Sequence, residues 1–193
     1  MKEENPDAIL FYRLGDFYEM FFDDAKLASQ ELDLVLTGRS AGVEEKVPMC
    51  GIPFHAANSY IQRLVKKGYK VAICEQLEDP SSAKGLVDRG IIKIITPGTY
   101  MDATMDAKST NYMASCDVSS FEITVIYCEL STGELKYQTL QRSLVALQKA
   151  LLEQNVSELV CPMTMDKKWM AALEEMDTML ISKHKKANID PED

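Results

Sequence analysis

The sequence lacks the cysteine patterns that mark metal sites and redox motifs. Its five cysteines include no Cys-x-x-Cys pair, and their number is odd. Three of them, Cys74, Cys128 and Cys161, lie within apolar stretches and are predicted to be small buried hydrophobic residues. We therefore expect no metal site among them, and free thiols of this kind indicate a reducing compartment, the cytoplasm.

Signals for a membrane and for a nucleotide are missing as well. No apolar run approaches the roughly 20 residues that a membrane-spanning helix needs, and residues 1–6 do not begin a secretion signal. We therefore expect no membrane partner. The Gly-x-x-x-x-Gly-Lys-Ser/Thr loop does not occur either. The chain is accordingly not expected to be an ATP-hydrolysing enzyme, and neither catalytic residues nor a cofactor are predicted in it.

Positive charge is scarce overall but unevenly distributed. The net charge is −9, which by itself argues against nucleic acid as a partner. Residues 15–36 contain six acidic and one basic side chain, whereas residues 37–74 contain six basic and two acidic side chains. Because the Debye length in physiological salt is only about 8 Å, a locally positive segment can contact phosphate groups even in an acidic chain.

The order of helix and strand signals predicts an α/β protein whose residues 1–100 form a small mixed α/β domain. An aromatic-rich strand at 8–13 precedes a helix that Asp23 or Asp24 caps and that runs through Asp33. The other predicted elements are strands at 34–37, 69–74 and 91–95, a loop at 38–51 and a helix at 56–67.

A second α/β domain is predicted for residues 111–193, after a polar linker at 101–110. Strands at 121–129 and 135–140 form a hairpin around Ser131-Thr132-Gly133. A helix, a strand, a helix and a strand follow, and this order resembles ribonuclease H-like folds. Because the polar tail has no closing helix, we expect this domain to be incomplete and the chain to be part of a larger protein.

The segment from Gly15 to Phe21 carries most of the functional information. Phe17 and Glu19 are two residues apart in a stretch predicted to be extended, so their side chains point to the same side. Phe17, Tyr18 and Phe21 are typical of a hydrophobic core, and Glu19 is typical of a solvated surface. The pair also suits DNA if the ring enters the base stack and the carboxylate meets a base edge. The residues alone leave both interpretations open.

Four sequence blocks are similar to the MutS family of bacterial DNA mismatch-recognition proteins. They are Phe11-Tyr12-Arg13-Leu14-Gly15-Asp16-Phe17-Tyr18-Glu19-Met20-Phe21, Pro48-Met49-Cys50-Gly51-Ile52-Pro53, Lys70-Val71-Ala72-Ile73-Cys74-Glu75-Gln76 and Ile95-Thr96-Pro97-Gly98-Thr99. They occur in the family's order and spacing and cover residues 8 to 100. A looser match around Glu129, where family members often have Asp, extends the resemblance into the connector domain.

The resemblance implies roles for three residues. In the family, the residue matching Phe17 stacks on a mispaired or unpaired base from the minor groove, and the residue matching Glu19 hydrogen-bonds that base. Arg39 matches a position near the DNA backbone, where a phosphate contact is expected. The implied function is recognition of mismatched or unpaired bases in double-stranded DNA.

The resemblance also implies properties of the full-length protein. The family's full-length members are homodimers with an ATPase that uses ATP and Mg, and their connector relays to that ATPase and contacts MutL. Two rival functions remain open: a module that only docks a partner, and a ribonuclease H-like metal nuclease. The nuclease needs carboxylates that converge on two metal ions about 4 Å apart. Asp117 or Glu129, together with Glu153, are the candidates.

Overall fold

The computed structural model describes residues 1–39, 46–78, 87–101 and 110–184. The chain divides into two compact units, Met1–Thr96 and Pro97–Asp193. The described residues form two mixed sheets and four helices, which confirms the predicted α/β class. Most of the linker predicted at 101–110 lies outside the described residues, so the linker stays a prediction.

The described residues of the first unit form one mixed sheet with two α-helices. Its elements are β1 (Ala8–Leu14), β2 (Phe17–Phe21), α1 (Phe22–Leu32), β3 (Thr37–Arg39), β4 (Val47–Pro53), α2 (Ala57–Lys66), β5 (Lys70–Gln76) and β6 (Arg89–Ile95). The strands lie in the order β3-β4-β2-β1-β5-β6. Neighbouring strands are antiparallel except β1 and β5, which run parallel.

The core of the first unit lies between the helices and one face of the sheet. Helix α1 packs on β1, β2 and β4, and it also contacts α2, which packs on β5. Apolar side chains at helical spacing turn inward from both helices, among them Leu32 and Leu64. Phe11, Met20 and Ile52 from the strands are fully buried as well. Burial of these side chains removes apolar surface from water and is the main stabilising contribution.

The opposite side of this sheet is named here the Phe17 face. Residues paired directly across antiparallel strands share a face. Leu14 pairs with Phe17, Tyr12 pairs with Glu19, and Glu19 pairs with Gly51. The Phe17 face is therefore defined by Tyr12, Leu14, Phe17, Glu19 and Gly51.

Two sequence predictions about the first unit are wrong. The strand expected at 34–37 begins only at Thr37, and the loop expected at 38–51 contains most of β4. Glycine and proline at 48–53 are typical of a loop, yet here they are tolerated within a strand. Pro48 pairs with Gly38 of the edge strand β3 and lies one residue beyond the part of β4 that pairs with β2. Its missing N–H therefore removes no hydrogen bond from the β2 ladder.

Neither Asp23 nor Asp24 caps helix α1. The N-cap residue is Phe21, and no side chain accepts a capping hydrogen bond there. The carboxylate of Asp24 instead accepts a 2.9 Å hydrogen bond from the backbone N–H of Leu10 and a 2.8 Å bond from the ammonium group of Lys2. It therefore joins the start of the helix to strand β1.

The second unit is a five-stranded mixed sheet with two helices among its described residues. Its elements are β7 (Tyr112–Val118), β8 (Glu122–Glu129), β9 (Glu134–Gln141), α3 (Leu144–Glu153), β10 (Val156–Pro162), α4 (Lys167–Glu174) and β11 (Leu180–His184). The strand order is β11-β10-β7-β8-β9. Strands β7, β8 and β9 are successively antiparallel, whereas β10 runs parallel to both of its neighbours.

Strand β7 is the central strand of the second sheet and was not predicted. Its inward residues are Tyr112, Ala114 and Cys116, all buried in the core. Two of these three side chains are small, so the apolar alternation that indicates a strand is weak in the sequence. The other predicted strands and helices of this unit are present, with ends shifted by a few residues.

Two further findings bear on the sequence expectations. All five cysteines are free, and four of them are buried, whereas Cys128 is partly exposed. Within the described ranges, no helix combines the length and the apolar character needed to cross a bilayer.

Candidate nucleic-acid interface

Phe17 directly follows the turn that joins β1 to β2. Leu14 pairs with Phe17, so Gly15 and Asp16 alone form the loop. Gly15 has a φ of +57°, and a positive φ at the first loop position is typical of tight two-residue hairpins. Glycine adopts this conformation without the steric cost that a Cβ imposes. The sequence Leu-Gly-Asp-Phe thus places Phe17 at the end of a short hairpin.

The structure places Phe17 and Glu19 on the same side of β2, which confirms the prediction from their spacing. Tyr18 and Met20 are buried on the core side, and Phe17 is 47% exposed. Phe17 is therefore not a core residue, while its neighbour Tyr18 is. The contact of Phe17 with DNA stays a prediction.

Arg13 anchors the turn that precedes Phe17. Its guanidinium lies over the ring of Phe54, 3.8 Å from the ring centroid, and its Nε–H donates to the carbonyl oxygen of Gly15. The backbone N–H of Phe54 donates to the carbonyl oxygen of Asp16 at 2.9 Å. Both loop carbonyl groups are thus bound from neighbouring elements, and the position of Phe17 is fixed by the fold.

A second polar contact holds β2 from the core side. The hydroxyl group of Tyr18 donates to the carboxylate of Glu75 on β5, which also lies 3.4 Å from the Arg13 guanidinium. Burial, together with this hydrogen bond, raises the pKa of Tyr18 to about 12. The hydroxyl therefore stays protonated and keeps donating at neutral pH.

Glu19 is bound by Arg39. Nη1 of Arg39 lies 2.6 Å from Oε2 of Glu19, although β3 and β2 are separated by β4. The Glu19 side chain is 18% exposed and that of Arg39 is 52% exposed. Gly51 pairs with Glu19 on the intervening strand, and a Cβ added to Gly51 would lie 3.5 Å from Cγ of Glu19. Arg39 is therefore a strand residue with a defined partner.

Most of the basic segment at 37–74 is neutralised by acidic side chains. Four of its six basic residues form ion pairs with acids from earlier in the chain. The pairs are Arg39 with Glu19, Arg63 with Asp33, Lys67 with Glu31 and Lys70 with Asp7. Among the described residues, the local excess of positive charge in the sequence is thus largely compensated by acidic side chains.

Asp117 and Glu129, the two alternatives for the first carboxylate of a nuclease, lie far apart. Asp117 pairs with Thr124, whereas Glu129 pairs with Tyr112 at the other end of the same two strands. Five residues along a strand correspond to roughly 16 Å. Within the described residues, no group of three or more His, Cys, Asp or Glu side chains is arranged to hold a metal ion.

Glu129 has a structural role in the β8–β9 turn. Its carboxylate accepts hydrogen bonds from the hydroxyl and backbone N–H groups of Ser131 and Thr132. These bonds lower the pKa of Glu129 to about 2. The match at Glu129 in the connector segment therefore has a local explanation, because this carboxylate organises the turn.

Residues 1–104 match the family model described as MutS domain I. This range is more than half of the chain. The chain belongs to the MutS family. The MutS domain I match contains the β1–β2 hairpin, the Glu19–Arg39 pair and all six strands of the first sheet.

Curated MutS relatives extend the similarity into the second unit. A DNA mismatch repair protein MutS from Clostridium botulinum (strain Loch Maree / Type A3) is 53% identical over 168 residues, or 82% of this chain. One from Clostridium novyi (strain NT) is 58% identical over 137 residues, or 70% of this chain. The chain spans only 18% and 15% of the length of these two MutS proteins. An alignment of 168 residues is longer than the first unit, so it includes residues of the second.

Two contacts of this MutS site were not anticipated from the sequence. They are the Arg39–Glu19 ion pair and the network of Arg13, Tyr18 and Glu75. Arg13, Tyr18 and Glu75 all lie within the sequence blocks that resemble the family, so their positions were a usable signal. The partners themselves depend on the strand order, which residue spacing does not reveal.

Proposed function

We propose that this chain is the mismatch-sensing part of a MutS protein that recognises mispaired or unpaired bases in duplex DNA during mismatch repair. The proposal is carried by one observation. Phe17 is exposed at the end of an anchored hairpin, on the same face as Glu19, within the range that matches MutS domain I. An exposed aromatic ring held by a rigid support is what insertion into a base stack requires.

Phe17 acts as a wedge that tests how easily the duplex deforms. An apolar side chain inserted from the minor groove partly unstacks a base step and kinks the DNA. A mismatch has already lost regular pairing, so the same kink costs less free energy there than in matched DNA. The anchoring of Gly15 and Asp16 supports this role, because a mobile hairpin would yield instead of bending the duplex.

Glu19 hydrogen-bonds the base that Phe17 displaces. A carboxylate near phosphate groups is repelled unless it is neutralised or receives hydrogen bonds. Arg39 supplies one neutralising contact to Oε2 of Glu19. The guanidinium has five N–H donors, so Arg39 can bind Glu19 and still donate to a DNA phosphate. The family resemblance implies such a phosphate contact for Arg39.

The second unit acts as the connector, with a ribonuclease H-like fold. Three successive antiparallel strands, followed by two parallel strands that helices connect, support this assignment. In the full-length protein, we infer that the connector relays DNA binding to an ATPase that uses ATP and Mg, and that it contacts MutL. The remaining length of the relatives leaves room for that ATPase and for homodimer contacts.

The proposed location is the cytoplasm, and no catalytic role is proposed for residues 1–193.

Fluorescence anisotropy with the full-length protein tests the proposal. Binding is measured to a matched duplex and to the same duplex with one mismatch or one unpaired base, for the wild type and for Phe17→Ala. Base–aromatic stacking contributes about 1–3 kcal/mol, so the variant should lose roughly 5- to 150-fold in mismatched-DNA affinity. Its affinity for matched DNA should change far less.

Phe22→Ala is the matched control, because Phe22 is a 64% exposed Phe of the same unit. It should keep the preference for mismatched DNA. If Phe17→Ala lowers both affinities by the same factor, Phe17 is a general contact and the wedge assignment is wrong. If the wild type shows no preference for mismatched DNA, the proposed function itself is wrong.

A further inference from the structure

The Glu19–Arg39 contact joins two side chains on separate strands of the Phe17 face. Nη1 of Arg39 holds Oε2 of Glu19 at 2.6 Å. This contact uses Oε2 of the carboxylate, and a carboxylate has acceptor sites on both oxygens. Oε1 can therefore accept a hydrogen bond from a base while Oε2 stays bound to Arg39.

The burial of Glu19 makes its orientation depend on this partner. The Glu19 side chain is 18% exposed, so it is surrounded on most sides by protein. Gly51, which pairs with Glu19 on β4, presents no side chain to pack against it. Because one neighbour is a glycine, packing alone does not determine where the carboxylate points, and the charge-assisted bond to Arg39 supplies that constraint.

We propose that Arg39 is a positioning residue that acts through Glu19: it orients and neutralises the Glu19 carboxylate so that this group can accept a hydrogen bond from a displaced base. This inference rests on the proposed function. It differs from a simple phosphate contact, which would strengthen binding to every duplex alike. A positioning residue changes the ratio of mismatched-DNA to matched-DNA affinity, and it does so only while Glu19 is present.

A double-mutant cycle in the full-length protein separates the two roles. The variants are Arg39→Gln, Glu19→Gln and the double variant, each measured on matched and mismatched duplexes. Arg39→Gln should lower the affinity ratio by at least about 2-fold, the lower limit expected for side chains in direct contact. In the Glu19→Gln background, the same substitution should leave the ratio unchanged.

Two further variants serve as controls. Arg63→Gln removes the same charge from another exposed ion pair of the first unit, the one with Asp33, and it should not change the ratio. Arg39→Lys keeps the charge but not the planar fork, and it should recover part of the ratio that Arg39→Gln loses. The unfolding temperature of each variant is measured as well, so that a change in the ratio is not mistaken for a loss of folded protein.

Each outcome decides the proposal. It is supported if the effect of Arg39→Gln on the ratio disappears without Glu19. It is overturned if that effect persists in the Glu19→Gln background, if the ratio does not change, or if the ratio rises, since a rise would mean that Arg39 competes with the base. Phe17→Ala is measured in parallel to separate the positioning role of Arg39 from the proposed function. If Phe17→Ala loses the preference for mismatched DNA while the effects in the double-mutant cycle are additive, only the positioning role is refuted.

Discussion

Phe17 and Tyr18 are consecutive residues of β2, and their rings lie on opposite faces of the first sheet. Phe17 is 47% exposed, whereas Tyr18 is buried and its hydroxyl group donates to Glu75. We therefore expect Phe17→Ala to leave the free energy of unfolding almost unchanged. Tyr18→Phe should lower it by about 1.5–3 kcal/mol, the contribution of a hydrogen bond to a charged group. Urea denaturation followed by circular dichroism measures both changes.

This contrast matters for the interpretation of the binding experiment. If Phe17→Ala is as stable as the wild type, its loss of mismatch preference comes from the missing ring and not from unfolding. A destabilisation equal to that of Tyr18→Phe would show that Phe17 also contributes to packing. The wedge role would then need a variant that keeps the packing, such as Phe17→Leu.

Gly98 occupies a position in the second unit that has no room for a side chain. A Cβ there would lie 2.7 Å from Cβ of Glu158 and 3.1 Å from Cβ of Met113. The N–H of Gly98 also donates to the buried Glu158 carboxylate at 3.2 Å. We expect Gly98→Ala to lower the free energy of unfolding by about 1–3 kcal/mol, the usual cost of overpacking. Trp169, the only tryptophan, reports on this unit by fluorescence.

Gly133→Asn is the control for the loss of a glycine. Gly133 has a φ of +73°, and an added Cβ would meet open space. Asparagine tolerates the left-handed region better than most residues, so this variant should be nearly as stable as the wild type. Equal destabilisation of the two variants would contradict the steric explanation for Gly98.

The pKa of Glu129 predicts how the stability of the second unit depends on pH. Hydrogen bonds from Thr132 and Ser131 lower this pKa from 4.5 to about 2. A lowered pKa in the folded state contributes stability that is complete above the unfolded value and is lost as pH falls towards the folded value. The free energy of unfolding of the wild type should therefore exceed that of Glu129→Gln by a constant amount above about pH 5. The difference should shrink between pH 4.5 and pH 2.

Glu122→Gln controls for the loss of one negative charge. Glu122 is an exposed residue at the other end of β8. The difference in the free energy of unfolding between the wild type and Glu122→Gln should not show the pH dependence expected for Glu129→Gln. A difference between the wild type and Glu129→Gln that stays constant down to pH 2 would show that the turn hydrogen bonds do not favour the ionised form.

The parts of the fold that could be predicted from the sequence are those with strong local signals. Strands β1 and β5 are continuous apolar runs, and the two-residue spacing of Phe17 and Glu19 was sufficient to place them on one face. Strand β4 was missed because Pro48 and Gly51 are typical of loops, although Pro48 lies beyond the ladder with β2. Such exceptions depend on the position of a residue relative to its neighbouring strand.

The contacts within the candidate site were harder to predict than its residues. Glu19 and Arg39 are 20 positions apart, and their contact requires β3, β4 and β2 to be neighbours in that order. Similarly, Glu75 reaches Tyr18 only because β5 runs parallel to β1. Residue types and spacing identified the candidate residues, but the partner of each depends on long-range strand pairing.

Removal of the Glu19 carboxylate should reduce the difference in affinity between mismatched and matched duplexes. In the full-length protein, Glu19→Ala removes the hydrogen bond to the displaced base, so mismatched-DNA affinity should fall or stay the same. It also removes a negative charge and releases the Arg39 guanidinium that Glu19 holds at 2.6 Å. Matched-DNA affinity should therefore rise, and the ratio of mismatched-DNA to matched-DNA affinity should fall.

The salt dependence of binding to matched DNA tests the fate of the released Arg39. Each additional phosphate contact steepens the slope of log affinity against log salt concentration by about 0.9. Glu19→Ala should show roughly this increase, and the Glu19→Ala, Arg39→Gln double variant should not. Asp33→Ala, which releases Arg63 from its ion pair in the same unit, is the control and should leave the slope unchanged. An unchanged slope in Glu19→Ala would mean that release of the Arg39 side chain adds no contact with the DNA backbone.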